Sequence, residues 1–138
     1  MDKKEFNLHA DIKVFGFLVN SFPAGIGDAF DILIQKTGDC AGARNYYGLS
    51  ELKDDKMAYY ALAEEKFPDE AEKYNYEKFT IEKGAYLTIA VSEWQKKTNC
   101  IKDVFSEIIQ DSRVNKTKPA IEWYVNENEM MCLVQMNN

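Results

Sequence analysis

One carboxylate that directly precedes two aromatic residues is the most informative chemical group in this sequence. Residues 118–125 read Lys-Pro-Ala-Ile-Glu-Trp-Tyr-Val, with the acid at Glu122. If this segment is a strand, alternation places Glu122 and Tyr124 on one face of a sheet and Trp123 on the other. Because glutamate is uncommon in strands, the carboxylate is either the polar anchor of an apolar pocket or part of a solvated outer face. Taken alone, the segment favours the solvated face.

Other groups that could perform catalysis are sparse. The sequence has one histidine, His9, on a predicted strand, and a lone histidine is more often a surface or capping residue than half of a catalytic dyad. No glycine-rich phosphate loop, nucleophile elbow or His-Glu-x-x-His motif occurs. A metal site would have to assemble from scattered carboxylates, so we expect neither a metal nor another cofactor.

Three cysteines, Cys40, Cys100 and Cys132, are present without paired spacing. An odd number of unpaired thiols argues against a disulfide framework or a zinc ribbon and fits a reducing compartment. Cys100 lies near the start of a predicted helix, where the helix dipole would favour a nucleophilic thiolate. The favoured interpretation of all three is nevertheless that they are small buried hydrophobic residues.

Length, composition and charge restrict the class of protein. With 138 residues, of which 46% are hydrophobic, the chain suits a single domain, residues 1–138, with a sizeable core. A formal net charge of −6 without a run of basic residues argues against direct nucleic-acid binding, and residues 1–11 are too short for a helix-turn-helix. No window resembles a signal peptide or a membrane span, so we expect a cytoplasmic protein with no membrane partner.

The elements that must position Glu122 fall into two similar halves, about residues 12–63 and 79–136. β-branched and aromatic runs predict three strands in each half. The predicted strands are residues 12–19, 45–49, 57–63, 86–91, 120–125 and 130–136. Apolar stripes of helical period predict one helix over about residues 25–36, closed by Gly38, and a second that Thr98 or Asn99 caps. The polar stretch 64–78 is interpreted as a solvated connection between the halves.

The two predicted helices have matching sequences at an offset of 75 residues. At that offset Ile26, Asp28, Phe30, Ile34 and Gln35 meet Ile101, Asp103, Phe105, Ile109 and Gln110, five identities in ten positions. An internal duplication explains this economically, although chance likeness between two amphipathic helices stays open. The sequence therefore predicts an α+β fold: duplicated strand-helix-strand-strand modules with pseudo-twofold symmetry, two helices packed on an antiparallel sheet.

The order and spacing of four short segments resemble a known family over nearly the whole chain, from about Ile12 to Met136. The segments are Tyr46-Tyr47-Gly48, Tyr59-Tyr60, Lys83-Gly84-Ala85-Tyr86 and Pro119-Ala120-Ile121-Glu122-Trp123-Tyr124. Together they resemble the gyrase-inhibitor-like (GyrI-like) small-molecule-binding family, which includes effector-binding domains of multidrug-responsive transcription activators. One departure is Glu82, at a position where the family often has proline.

The resemblance implies a ligand groove between the two modules, lined by aromatic rings and carrying one glutamate. Carried over to this sequence, that glutamate is Glu122. At the offset of 75 residues Tyr47 is its counterpart in the first half, so both are expected near the pseudo-twofold axis. The aromatic candidates for the walls are Phe15, Tyr46, Tyr60, Tyr86, Trp94, Trp123 and Tyr124, although most of them could equally be ordinary core.

Three functions stay open from the sequence. The leading hypothesis is a stand-alone module that senses or sequesters a hydrophobic, often cationic, small molecule in the aromatic groove, with any regulatory protein partner unidentified. The second is a GyrI-like hydrolase of reactive cyclopropane-bearing compounds, with Glu122 as general base and Tyr47 or Tyr124 polarising a carbonyl. The third is a protein-interaction module such as a gyrase-binding inhibitor.

Overall fold

The protein forms a sheet of eight strands, accompanied by three helices in the residues that the structure describes. This structure is a computed structural model that describes residues 2–20, 25–38, 44–97, 100–126 and 128–137. The strands are β1 (Lys4–Leu8), β2 (Ile12–Leu18), β3 (Tyr46–Lys53), β4 (Lys56–Glu64), β5 (Glu77–Ile81), β6 (Gly84–Ser92), β7 (Ala120–Tyr124) and β8 (Glu129–Gln135). The helices are α1 (Ile26–Thr37), α2 (Glu70–Tyr74) and α3 (Ile101–Gln110), and a 3-10 turn covers Trp94–Lys96.

The sheet is antiparallel, and its strand order shows the two modules. The order is β1-β6-β8-β7-β3-β4-β2-β5. From the centre of the sheet outward, the strands of the first module follow in the order β3, β4, β2, and those of the second module follow in the equivalent order β7, β8, β6. Each module also has one long helix. This confirms the predicted α+β fold of two strand-helix-strand-strand modules, which meet where β3 pairs with β7.

Both long helices lie where the apolar stripes predicted them. Helix α1 ends at Gly38, whose left-handed backbone (φ 67°) lets its N–H bond to the carbonyl of Ile34. Helix α3 follows Cys100, which is exposed rather than buried as expected, while the predicted caps Thr98 and Asn99 lie outside the described residues. Within the described ranges, none of the helices combines the length and apolar character that crossing a bilayer requires.

Two strands and a short helix differ from the sequence prediction. The edge strand β1 was not predicted because its alternating polar and apolar residues bury little, and it pairs with β6 alone. His9 follows it as an exposed residue outside any strand. The stretch 64–78 is not a solvated connection, since α2 buries Glu70 and Ala71 and the start of β5 pairs with β2.

The two faces of the sheet carry separate cores. On the helix side, Ala29 and Leu33 of α1 pack with Ala61 and Ala63 of β4, whose small side chains let the helix approach closely. Helix α3 packs in the same way on β6 and β8. The opposite face buries Val14, Tyr47, Leu49, Tyr60, Leu62, Ile81, Tyr86, Ile121 and Leu133. The sheet curls around this second core. The curl brings the ring of Phe6 in the edge strand β1 to a centroid distance of 6.2 Å from the ring of Trp123 in the central strand β7.

A buried ion pair fixes α2 to the sheet. Arg44 Nη2 lies 2.7 Å from Glu70 Oε2, and the two side chains are 2% and 4% exposed. Arg44 also donates a hydrogen bond to the carbonyl of Glu64, and Glu70 accepts from the backbone N–H groups of Lys66 and Phe67. Burial by itself raises the pKa of Glu70, but the bonds from Arg44 and the backbone outweigh it, so the pKa lies below its ordinary value of 4.5.

Replacing Arg44 by methionine should destabilise the fold by about 3 kcal/mol, because Glu70 keeps its burial and loses its cation. The free energy of unfolding from urea denaturation at neutral pH measures the loss. Because the folded state lowers the pKa of Glu70, the contribution of the pair is present above pH 4.5 and is lost as the pH falls. The difference between wild type and Arg44→Met should therefore narrow in acid.

A suitable control is Lys78→Met, which removes an exposed lysine paired with the exposed Glu72. Water screens that pair, so the variant should unfold at a urea concentration close to that of wild type. Equal losses of unfolding free energy in both variants would show that the buried pair stabilises the fold no more than the exposed pair. A difference between wild type and Arg44→Met that does not change with pH would show that the charge of Glu70 is not involved.

Candidate functional site

Glu122 lies at the junction of the two modules, on the helix side of the sheet. The register of the central strands places it opposite Gly48 of β3 and Cys132 of β8. Since α1 packs on β4 and α3 packs on β6 and β8, the carboxylate lies on the strands between the two helices. Glu122 is 8% exposed, so this face of β7 is not the solvated one.

Two phenols from different modules bond to this carboxylate. Tyr59 of β4 donates a hydrogen bond of 2.5 Å to Glu122 Oε1, and Tyr124 of β7 donates one of 2.7 Å to the same oxygen. The two phenol oxygens lie 3.3 Å apart. We refer to Glu122, Tyr59 and Tyr124 as the Glu122 cluster.

Burial changes the protonation equilibria of the whole cluster. It raises the pKa of Glu122, although the hydrogen bonds from Tyr59 and Tyr124 act in the opposite direction. Burial, followed by the nearby charge of Glu122, also raises the pKa of both phenols and of the Cys132 thiol. The two tyrosines and Cys132 consequently keep their protons at neutral pH, and the phenols are permanent donors.

Two aromatic rings cover the cluster from the helix side. Phe30 of α1 meets the Tyr124 ring edge-on at 5.1 Å, and Trp94 meets it edge-on at 5.0 Å. The Trp94 indole donates to the carbonyl of Asn126. One turn beyond Phe30, Ile34 is 39% exposed, and Ile109, its equivalent on α3, is 41% exposed. We call Phe30 and Trp94 the aromatic cover. Both rings contact Tyr124, the neighbour of Glu122 on the same face of β7.

The aromatic residues expected to line the groove divide between the two faces of the sheet. Tyr124, Trp94, Tyr46 and Phe15 lie on the helix side, but Tyr46 bonds to Thr37, and Phe15 stacks with Tyr74 and Tyr76 in the core beside α1. On the opposite face lie Tyr47, Tyr60, Tyr86 and Trp123. The structure therefore brings Trp94 and Tyr124 to Glu122 and separates it from the four residues of the other core.

Tyr47 and Glu122 lie on the two central strands, but their side chains lie on opposite faces of the sheet. Tyr47 lies opposite Trp123 in the β3–β7 register, and its ring stacks with that indole on the far side of the sheet. The offset of 75 residues aligns the helices, but in the central strands it relates side chains of opposite faces, so the structure does not bring Tyr47 and Glu122 into one groove. The position beside Glu122 belongs to Gly48.

Sequence reasoning missed Tyr59, Phe30 and Gly48. Tyr59 precedes Tyr60, the tyrosine that was expected to line the groove, and the two side chains lie on opposite faces of β4. The signal was present, since Tyr59, Ala61 and Ala63 alternate and small residues mark the face beneath a helix. Gly48 is required for space: a Cβ atom there would lie 2.5 Å from Glu122 Oε1 and closer still to the Tyr59 hydroxyl.

Other chemical features lie apart from the cluster. An open cavity of about 420 Å³ lies among Asp11, Glu82, Lys83, Asn115, Lys118, Gln135 and Met136. The described residues contain no group of three or more histidine, cysteine or acidic side chains arranged to hold a metal ion. Of the cysteines, buried Cys132 is the exception that lies beside Glu122, and Cys40 lies outside the described residues.

Solved structures of similar fold cover almost the whole chain. An integron cassette protein from the mobile metagenome of Vibrio cholerae matches with a TM-score of 0.67 and 18% identity over 99% of this chain and 95% of its own. SAV2435 bound to tetraphenylphosphonium matches with a TM-score of 0.67 and 17% identity, over 100% and 95%. The EcmrR C-terminal domain matches with a TM-score of 0.57 and 14% identity, over 99% and 96%.

This chain has the GyrI-like fold. The structural likeness confirms the fold that the resemblance implied, at identities too low to carry an activity from one protein to another. No family model matches the sequence, and no curated protein matches it either. Within the GyrI-like fold, the Glu122 cluster occupies the junction of the two modules.

Replacing Gly48 by alanine should destabilise the protein by about 1–3 kcal/mol, because the new methyl group overlaps the carboxylate and the Tyr59 hydroxyl. Gly27→Ala is the matched control, since nothing lies within 4 Å of a Cβ there. In α1 that change should stabilise by about 0.5–1 kcal/mol. Urea denaturation of both variants measures these effects, and an unchanged midpoint for Gly48→Ala would refute the steric argument.

Proposed function

We propose that this protein is a small-molecule-binding domain that recognises hydrophobic, cationic compounds between α1 and α3, with Glu122 as the anionic anchor. The observation that carries the proposal is the buried carboxylate at the module junction, bonded to two phenols and covered by aromatic rings. A GyrI-like protein of similar structure, SAV2435, is bound to tetraphenylphosphonium, a bulky aromatic cation.

The physical basis is the high free energy of a desolvated carboxylate. A carboxyl group buried among rings holds its proton more tightly than in water, as the raised pKa of Glu122 shows. A lipophilic cation beside it restores the charged form by direct pairing. Aromatic faces add roughly 0.5–2 kcal/mol for each cation–π contact without strict directional demands, which suits a site that accepts varied shapes.

Ligand entry requires the aromatic cover to move. Phe30 and Trp94 rest on Tyr124, so a bulky ligand reaches Glu122 after one of these rings has rotated away. Trp94 is the first residue of the 3-10 turn and is only partly buried, and Ile34 and Ile109 offer apolar contact along the helices. Binding by induced fit is therefore part of the proposal.

We propose that this single domain, residues 1–138, acts in the cytoplasm. There it either sequesters its ligand or signals to a separate protein that the ligand is bound. The net charge of −6 disfavours direct contact with nucleic acid. A conformational change at the aromatic cover is the signal that such a partner would read.

A titration of intrinsic tryptophan fluorescence with tetraphenylphosphonium tests the proposal. Trp94 lies in the aromatic cover, so binding should quench or shift its emission. In Glu122→Gln the affinity should fall at least about tenfold, equivalent to about 1.4 kcal/mol, because the amide has the same shape without the charge.

Glu129→Gln is the control for net charge, since Glu129 is the exposed first residue of β8. It should bind like wild type. Equal affinity in all three proteins would remove Glu122 from the site. Turnover of a cyclopropane-bearing electrophile by wild type, abolished in Glu122→Gln, would instead favour the hydrolase hypothesis.

The affinity for tetraphenylphosphonium should fall as the pH is lowered. Because the pKa of Glu122 is raised, the proton competes with the cation at pH values above the ordinary 4.5 of a glutamate. Fluorescence titrations at a series of pH values should show this loss in wild type and a flat profile in Glu122→Gln. A flat wild-type profile would show that the cation does not pair with the carboxylate.

A further inference from the structure

The two oxygens of the Glu122 carboxyl have different surroundings. Both phenols of the cluster donate to Oε1, Tyr59 at 2.5 Å and Tyr124 at 2.7 Å. Oε2 accepts no hydrogen bond from any residue in the part of the chain that the structure describes. The carboxyl therefore has one saturated oxygen and one free acceptor.

A donor reaches the free oxygen once the aromatic cover has moved. Glu122 as a whole is 8% exposed, and Phe30 and Trp94 rest on the neighbouring Tyr124 ring. When one of these rings rotates away, as the proposed function requires, Oε2 is an acceptor without a partner in an aromatic site, and a donor from outside the protein can satisfy it.

The residues that flank Glu122 supply no donor for the free oxygen. Gly48 and Cys132 lie beside Glu122 on the neighbouring strands, and neither side chain supplies a strong donor. Tyr59 and Tyr124 both donate to Oε1, and their hydroxyl oxygens lie 3.3 Å apart. Oε1 is thus a structural acceptor and Oε2 is left for a ligand.

We propose that the site selects cations that carry an N–H bond, such as protonated tertiary amines and amidines, over quaternary cations of the same size. This rests on the function proposed above and specifies its ligand class. An N–H bond on a cation forms a charge-assisted hydrogen bond to a carboxylate oxygen, roughly twice as strong as a neutral one. A quaternary cation supplies charge and apolar surface, but it covers Oε2 without donating to it, and an acceptor desolvated without a partner is costly.

A matched pair of probes tests this selection in the wild-type protein. The first is N,N-dimethyl-1-naphthylmethylamine, protonated at neutral pH, and the second is its N-methyl quaternary derivative. They share the ring and the charge and differ by one methyl group in place of the N–H hydrogen. Isothermal titration calorimetry should give an affinity at least about tenfold higher for the protonated amine. Equal affinity, or tighter binding of the quaternary ion, overturns the inference.

Two variants separate this inference from the proposed function. In Glu122→Gln the preference should shrink to less than about threefold, since a neutral amide forms a weaker bond to the same N–H group. In Glu129→Gln the tenfold preference should persist. If both probes bind wild type equally and both weaken in Glu122→Gln, the ligand class is wrong and the proposed function stands. If neither probe binds wild type, both proposals fail.

Discussion

The site depends on the hydrogen bonds that two phenols give to a carboxylate buried between the modules. Removing a carboxyl group from water is unfavourable unless its oxygens find donors, and Tyr59 and Tyr124 provide them at 2.5 and 2.7 Å. These donors come from different strands, so the arrangement requires the correct register of β4, β3 and β7. A slip of β7 by one residue would exchange its two faces, so that Glu122 would lie on the side of Tyr47 and Trp123 would lie on the side of the helices.

The curled sheet also keeps two aromatic populations apart. The rings on the face opposite the helices fill a core in which Tyr60 packs on Phe79 and Trp123 packs near Phe6. Those on the helix side surround a polar group and leave apolar side chains partly exposed. The rings on one face therefore fill a core, whereas on the other face Phe30 and Trp94 contact Tyr124 of the Glu122 cluster, and only the register tells the two sets apart.

The sequence allowed the elements with strong periodicity to be predicted, because their burial is one-sided. Helices α1 and α3 and the six inner strands have clear apolar patterns, and the duplication between the helices indicated the symmetry. The edge strand β1 and helix α2 could not be predicted in the same way, since the former buries little and the latter is held by an ion pair between Arg44 and Glu70. Glu122 and Tyr124 were recognisable within one strand, whereas their contact with Tyr59 depends on pairing between strands.

The absence of a side chain at Gly48 ties the two halves of the protein to each other. The first module supplies the empty volume and the Tyr59 donor, while the second supplies the acid that fills that volume. The first module therefore cannot accept a larger residue at its half of the junction without a compensating loss of volume in the second. Positions 48 and 122 thus act as one unit, in a protein whose backbone is nearly symmetric and whose chemistry is not.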